Sequence, residues 1–492
     1  MTRTREAIVV GAGLGGIGIA IQLKRLGIED FEILERNDDL GGTWHVNHYP
    51  GLAVDIPSVT YSFSFEPNPH WSRWYAPGAE LKKYCEHVAE KYDVRRHMRF
   101  DTGVESARWD DDSGEWHVQL ADGSTERSTY LIVATGFLSQ PKVPDIEGIE
   151  TFTGKVIHST EWDHDYDFTG KRAGLIGTGA TGVQLIPEVA ERAAELTVYQ
   201  RTAIWVTPKL DFAMPGLARR AFGAVPLTQR AARLWNSTVL EALLAGVVNF
   251  RRLRPAVKAA ERIGRRHLAR SISDPELRRR LTPDYDFGCK RPTFSNSYYP
   301  TFNKPHVHLE TGGIARVDGD SIITEDGTRT EIDVLVLATG FSLWQTNFPA
   351  FEVIGRDGVN LGKHWRNTRF ASYQGITVAK FPNYLHLAAP YSYAGLSFFT
   401  TIEAQMKHVD RLFGELRRRQ ATRFEVTESA ADAFTDRMQR RIDDSVWTLG
   451  DCATSRSYYF NEQGEATLAR PTTTWQNHRE QETFPLDDYD YA

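Results

Sequence analysis

Cysteine is scarce: the 492-residue chain has three, Cys85, Cys289 and Cys452, with no CxxC and no close pair. That excludes a disulfide-dense scaffold and offers no metal-ligand spacing, so no metal is expected and the thiols are expected unpaired in a reducing compartment. Long apolar runs are missing too. The richest, Val239 to Phe250, is interrupted by Glu241 and is too short to span a bilayer. Arg3 and Arg5 precede Ile8-Val9-Val10, but that run leads into glycines, as a strand and turn would, not a signal-peptide core. The expectation is a soluble, cytoplasmic protein with no membrane span, a monomer or weak dimer. Nor is there a surplus of positive charge: the formal net charge is -6, so no overall field draws nucleic acid, and none is expected as a partner. Charged residues at 25% and hydrophobic residues at 41% are an ordinary globular balance, with length for two or three domains.

What is present is a repeated glycine turn. Ala7-Ile8-Val9-Val10 is a short β-branched run that meets Gly11-Ala12-Gly13-Leu14-Gly15-Gly16. A helical pattern with Ile17, Ala20, Ile21, Leu23 and Leu26 apolar follows, then the strand-like Phe31-Glu32-Ile33-Leu34-Glu35. The order strand, GxGxxG, helix, strand is that of a dinucleotide-binding unit. Gly11 permits the tight turn, Gly13 lets backbone approach a pyrophosphate, and Gly16 lets the helix pack closely. The unit recurs: Ala173-Gly174-Leu175-Ile176 precedes Gly177-Thr178-Gly179-Ala180-Thr181-Gly182, and Leu196-Thr197-Val198-Tyr199 follows. One such turn is weak evidence; two in the same context are strong evidence.

The residue closing each unit selects the ligand. Glu35 stands 24 positions past Gly11, and Arg201 stands 24 past Gly177. A carboxylate accepts from ribose hydroxyls, as FAD or NAD requires. A guanidinium cannot accept and suits the 2′-phosphate of NADP. Alone, Arg201 reads equally as a solvated strand-end cation; beside its counterpart Glu35, the phosphate reading wins.

A second repeat marks organisation. Leu131-Ile132-Val133-Ala134-Thr135-Gly136 and Val336-Leu337-Ala338-Thr339-Gly340 are apolar strands with a common Ala-Thr-Gly ending, read as two crossings between domains. The expected fold is α/β, with two Rossmann-like dinucleotide-binding domains and a helical insertion. Residues 1–140 and 341–492 form a discontinuous FAD domain, and 141–340 an NADP domain. Residues 214–282 look helical and basic, with Arg251, Arg252, Arg254, Lys258, Arg262, Arg265 and Arg266. Membrane-surface attachment is one reading of that run; a solvated face is the one favoured, since basic helical faces are common.

Further motifs place these units in a family. Phe152-Thr153-Gly154-Lys155-Val156-Ile157-His158-Ser159-Thr160-Glu161-Trp162-Asp163 fits FxGxxxHxxxW followed by Asp. Gly41-Gly42-Thr43-Trp44, then Tyr49-Pro50-Gly51 and Asp55, is a second fingerprint, and Gly288-Cys289-Lys290-Arg291-Pro292 a third segment. Together they resemble the class B flavin monooxygenases, specifically the type I Baeyer–Villiger monooxygenases, over almost the whole chain to Phe381-Pro382-Asn383. N- and S-oxidising relatives usually end the first fingerprint in Tyr or Phe, not Trp. They are the alternative reading, with a flavin NADPH oxidase or redox module as a third.

The resemblance implies FAD and NADPH as cofactors, and O2 and a ketone as substrates. The product is an ester or lactone, formed through a flavin peroxide. Carried over by position, Thr43, Trp44, Asp55, Tyr61 and Val104 join Gly11, Gly13, Gly16 and Glu35 at FAD. Gly177, Thr178, Gly179, Gly182, Arg201, Thr202 and Lys290 go to NADP. Arg291 is implied as the catalytic residue: a guanidinium is a very poor acid, so it stabilises a negative oxygen without protonating it. Asp55 is implied to orient it. Phe152 and Trp162 read as packing anchors within the fingerprint they form with Gly154, and His158 as a coupling residue between domains. Departures are Ala53-Val54 where Arg-Cys is common, Ala388-Ala389-Pro390 where Asn-Gly-Pro is usual, and Ser457-Tyr458-Tyr459 without the usual Trp. They bear on the substrate pocket and leave the cofactor assignment intact.

Overall fold

The computed structural model describes residues 3–492. The chain opens with β1 (Thr4–Val10), α1 (Leu14–Arg25) and β2 (Phe31–Leu34). There follow α2 (Thr43–Val46), α3 (Gly78–Lys91), β3 (Met98–Arg99), β4 (Val104–Asp110), β5 (Glu115–Leu120) and β6 (Thr125–Val133). β1 is a central strand, parallel to β2 on one side and β6 on the other. Both its faces are covered, which is why Ile8 and Val9 are continuous apolar residues and not an alternating pair.

The second sheet uses β7 (Lys155–His158), β8 (Arg172–Ile176), β9 (Glu195–Tyr199), β12 (Val307–Glu310) and β16 (Val334–Leu337), in the order β12-β9-β8-β16-β7. Every pairing within it is parallel. Helix α4 (Ala180–Ala190) connects β8 to β9. Between β9 and β12 the chain makes β10 (Val206–Thr207), α5 (Gly216–Ala224), α6 (Pro226–Val248), α7 (Phe250–Ser271), the helix Pro275–Arg280 and β11 (Thr293–Phe294). A three-stranded antiparallel sheet, β13 (Ile314–Asp318), β14 (Ser321–Thr324) and β15 (Arg329–Glu331), precedes β16. The chain then returns to the first sheet as β17 (Glu352–Ile354) on β4 and β18 (Tyr384–His386) on β6.

The two passages between the sheets lie side by side. Lys142 N–H donates to the Gly340 carbonyl at 2.9 Å, and Ser342 N–H to the Gln140 carbonyl at 2.9 Å. These are the segments that leave the two Ala-Thr-Gly motifs.

One expectation is corrected. Cys289 and Cys452 are not free thiols but a disulfide, with Cα atoms 5.2 Å apart and a sequence separation of 163 positions. Flanking backbone aligns them: Asp286 N–H donates to the Asp451 carbonyl at 3.0 Å. Spacing in the chain carries no trace of such a contact. Cys85 remains a buried free thiol.

Candidate functional site

The two glycine turns share one construction. Gly11 has φ +107° and Gly177 φ +110°, a backbone region that strains any residue with a side chain. A Cβ on Gly11 would lie 2.8 Å from the Ala134 carbonyl oxygen, and one on Gly177 2.4 Å from that of Ala338. The repeated Ala-Thr-Gly is therefore the wall against which each turn is pressed. A Cβ on Gly16 would strike the Gly11 carbonyl oxygen at 1.9 Å, and one on Gly182 the Gly177 oxygen at 2.2 Å. At Gly179, by contrast, a Cβ would meet nothing within 4 Å, leaving space before the N-terminus of α4 where an anion fits.

Glu35 is buried at the end of β2. Its Oε2 accepts from Ala12 N–H at 2.8 Å, and its Oε1 from Asn37 N–H at 2.9 Å and Asn37 Nδ2 at 2.6 Å. The carboxylate thus steadies the first glycine turn and keeps further acceptor capacity. Thr43 begins α2, and the preceding Gly42 would bring a Cβ to 3.0 Å from Gly13 Cα, so this segment sits on the same turn. The Trp44 ring meets Tyr61 edge-on at 5.6 Å, and Tyr61 meets Phe399 edge-on at 4.9 Å. Val104 opens β4 two residues after Thr102, whose N–H donates to the Glu35 carbonyl at 2.8 Å. Glu35, Thr43, Trp44 and Val104 gather with the first glycine turn at the end of the first sheet, and Tyr61 bridges from Trp44 toward Asp55 and Arg291.

The 49–55 part of one fingerprint joins the two halves. Tyr49 hydroxyl donates to Gln184 Oε1 on α4 at 3.0 Å, and Gln184 Nε2 donates to the Ala53 carbonyl at 2.9 Å. In the other fingerprint, a Cβ on Gly154 would lie 2.4 Å from the Asp333 carbonyl oxygen and 2.6 Å from the Phe152 ring. Trp162 is buried and stacks on Phe168 at 5.8 Å. His158 ends β7 with Nδ1 2.7 Å from Thr160 Oγ1, while its buried Nε2 has no hydrogen-bond partner. Burial lowers the His158 pKa, which favours a neutral ring.

At the second turn, Thr178 Oγ1 donates to the Thr202 carbonyl at 3.2 Å, next to Arg201. Lys290 is pushed down to about 8, first by burial and then by the Arg201 charge. Arg201 is itself lowered, first by burial and then by Arg456. No carboxylate contributes to either shift. Lys290 thus feels Arg201, and Arg201 feels Arg456, an arrangement that suits an anion. Arg456 escaped the sequence reading. Its one signal is its place immediately before Ser457-Tyr458-Tyr459, and it sits at φ +46°.

Arg291 and Asp55, 236 residues apart, form a bidentate pair: Nε to Oδ2 at 2.6 Å and Nη2 to Oδ1 at 2.8 Å. Arg291 Nη1 donates to Tyr393 hydroxyl at 2.6 Å, and Nη2 also donates to the Leu396 carbonyl at 3.2 Å. Burial alone would lower the arginine; Asp55 and Tyr393 more than offset it and hold it well above its ordinary value. Tyr393 was not foreseen, because no motif carries it. Tyr458 approaches the same arginine and is pushed up to about 12, chiefly by burial. Beside this group lies a cavity lined mainly by apolar side chains, among them Leu243, Leu244, Val247, Pro292, Leu396 and Trp447. Helix α6 supplies the first three.

Comparison with known proteins agrees with this geometry. Residues 8–215 match the family described as pyridine nucleotide-disulphide oxidoreductase. A Baeyer-Villiger monooxygenase of Streptomyces coelicolor is 39% identical over 98% of this chain and 91% of its own length. Another, of Pseudomonas aeruginosa, is 37% identical over 96% of this chain and 88% of its own. An oxidized steroid monooxygenase bound to NADP superposes with a TM-score of 0.87 at 28% identity, covering 100% of this chain and 99% of that one.

Proposed function

The chain belongs to the Baeyer–Villiger monooxygenases, and we propose how its own residues carry that activity: Arg291, held by Asp55 and Tyr393 beside an apolar cavity, stabilises the negative oxygen of the reaction. It is an FAD-dependent, NADPH- and O2-consuming enzyme that converts a ketone to an ester or lactone. The carrying observation is the bidentate Arg291–Asp55 pair with Tyr393 on the remaining nitrogen.

Both cofactors fit the residues present. The first glycine turn with its buried Glu35 suits a ribose, and the open cradle at Gly179 beside Arg201, Lys290 and Arg456 suits a nucleotide with a 2′-phosphate. We assign residues 1–140 and 341–492 to FAD and 141–340 to NADP, with Thr43, Trp44, Tyr61 and Val104 at FAD and Thr178 and Thr202 at NADP. Bound FAD, once reduced, supplies the activation of O2 from which one oxygen atom is inserted beside the ketone carbonyl. Arg291 keeps its proton because Asp55 raises its affinity for it, so the cation neutralises developing charge without quenching it. The apolar wall around it excludes water and strengthens that interaction. The natural substrate is a ketone with an apolar body, matched to the apolar lining of the cavity.

The test compares wild type and Arg291→Ala with a cyclic ketone that wild type accepts, following NADPH oxidation, hydrogen peroxide and ester together. The variant should retain FAD, make little or no ester and release its consumed O2 as hydrogen peroxide. Ester formation by Arg291→Ala near the wild-type rate would remove the arginine from the mechanism.

A further inference from the structure

Helix α6 is apolar on two faces, and only one of them is covered. Its inner face sends Leu244 and Val248 into the core, with Leu243 and Val247 beside them at the cavity near Arg291. Its outer face leaves Leu227 70%, Leu234 61%, Trp235 71% and Val239 53% exposed, and Leu217 on α5 is 80% exposed. Leu227, Leu234 and Trp235 follow one another at helical spacing, with exposed Ala231 and Thr238 filling the stripe and exposed Ala242 continuing it. From Leu227 to Val239 the stripe runs about 18 Å along the helix axis at 1.5 Å per residue. Trp475, 59% exposed, is the second residue of the helix Thr474–Thr483, whose first amides, Thr474 and Trp475, donate to Glu241 on α6. A contiguous patch of this kind on a soluble chain marks a docking surface.

Charge identifies the occupant. Residues 216–271 hold twelve Lys and Arg against two Glu, within a chain of net charge -6. Neither Glu faces solvent freely: Glu241 accepts the two amides just named, and Glu261 is buried and bonded to Lys258. Arg219, Arg220 and Arg230 are exposed, and Arg230 lies within one turn of Leu227 and Leu234. Exposed Leu and Trp bordered by arginines, along a helix lying flat, is the composition that seats in the headgroup region of an anionic bilayer. A second copy is a poor occupant, because a two-fold contact across this stripe would bring the same cation-rich segment from both sides and no free carboxylate to offset it.

We propose that the outer face of α5 and α6 docks the enzyme on anionic lipid membranes. Leu217, Leu227, Leu234 and Trp235 enter the acyl boundary, and Arg219, Arg220 and Arg230 meet lipid phosphates. The α5 and α6 part of the segment is then an interfacial element, while on α7 Arg251 and Lys258 are engaged within the protein. The exposures of these side chains, which sequence cannot assign, are what support the interfacial reading. The same helix lines the cavity beside Arg291, so a membrane-dissolved ketone would meet the enzyme on this side.

The experiment uses the FAD-loaded full chain and sedimentation with vesicles of neutral phosphatidylcholine, or of phosphatidylcholine with 30% phosphatidylglycerol. Wild type should bind the anionic vesicles at least about tenfold more tightly than the neutral ones, with binding weakened by salt. Trp235→Glu combined with Leu234→Glu should lower binding by at least about tenfold. Arg219→Gln with Arg220→Gln and Arg230→Gln should do likewise. Both variants should keep FAD and turn over a water-soluble ketone at the wild-type rate, which separates this proposal from the assignment of Arg291. Absence of vesicle binding, equal binding to neutral vesicles, or binding untouched by either variant overturns it. So does a concentration-dependent dimer, seen by light scattering, that shields Trp235.

Discussion

Lys290 gives the sharpest check on the cation cluster, because it is the one member that titrates in an accessible range. Burial and Arg201 push its ammonium down to about 8, so the free enzyme loses this charge as pH rises through that value. A bound 2′-phosphate reverses the balance by favouring the charged form. The sign follows: NADPH binding takes up a proton above pH 8, and affinity falls there. If only the charged lysine contributes, the loss is a factor of about ten at pH 9 relative to pH 7, tending to a slope of one per pH unit. The 2′-phosphate is itself fully ionised across this range, with a second pKa of about 6, so it adds no slope. NADH lacks that phosphate, and its affinity should stay flat.

The assay is anaerobic flavin reduction as a function of nucleotide concentration, from pH 7 to 9.5, with both nucleotides. Lys290→Arg should bind NADPH tightly with no slope, since its charge persists throughout. Calorimetry of 2′-AMP binding at pH 8.5 in two buffers of different ionisation enthalpy should register the proton taken up. Equal pH slopes for NADPH and NADH, or a slope that survives in Lys290→Arg, would refute the placement of Lys290 at the phosphate.

Arg201→Ala should lose about 1.5–3 kcal/mol of NADPH binding, roughly 10- to 150-fold, with little change for NADH. Arg456→Ala should show a smaller loss of the same kind; flavin reduction kinetics with both nucleotides measure the two. Asp55→Ala should retain FAD yet release a larger share of O2 as hydrogen peroxide, because Arg291 loses both of its short carboxylate bonds. Cys452→Ser should lower thermal stability, by roughly 5 kcal/mol on the chain-entropy account for a loop this long. It should also weaken NADPH more than FAD, since the bridge ties the Lys290 segment to the Arg456 segment; melting curves and flavin content test this.

Legibility in the sequence followed the distance over which each constraint acts. Glycine turns are local, so Gly11, Gly16, Gly177 and Gly182 announced themselves, and the clashes their Cβ atoms would make explain why no other residue serves. The Ala-Thr-Gly repeat was visible as a pattern, but its reason was not. Only the fold shows that the Ala134 and Ala338 carbonyls press on the two turns. Gly154 is similar: its fingerprint position records the approach of the Asp333 carbonyl and the Phe152 ring, neither of which a pattern states.

Contacts between distant segments stayed hidden. Arg456 and Tyr393 reach their sites through packing alone, and Cys289 meets Cys452 only because the backbone between Asp286 and Asp451 pairs. Helix α6 shows a further limit. Its apolar residues fall on both sides of the helix, and periodicity does not say which side the rest of the protein covers. Leu244 and Val248 turned out to be inside, while Leu234 and Trp235 stayed outside. An exposed Leu taken singly means nothing, but a stripe of them bordered by unpaired arginines is costly to leave in water. The segment that sequence treats as ordinary basic helix therefore has a surface whose energetics ask for something to lie against it.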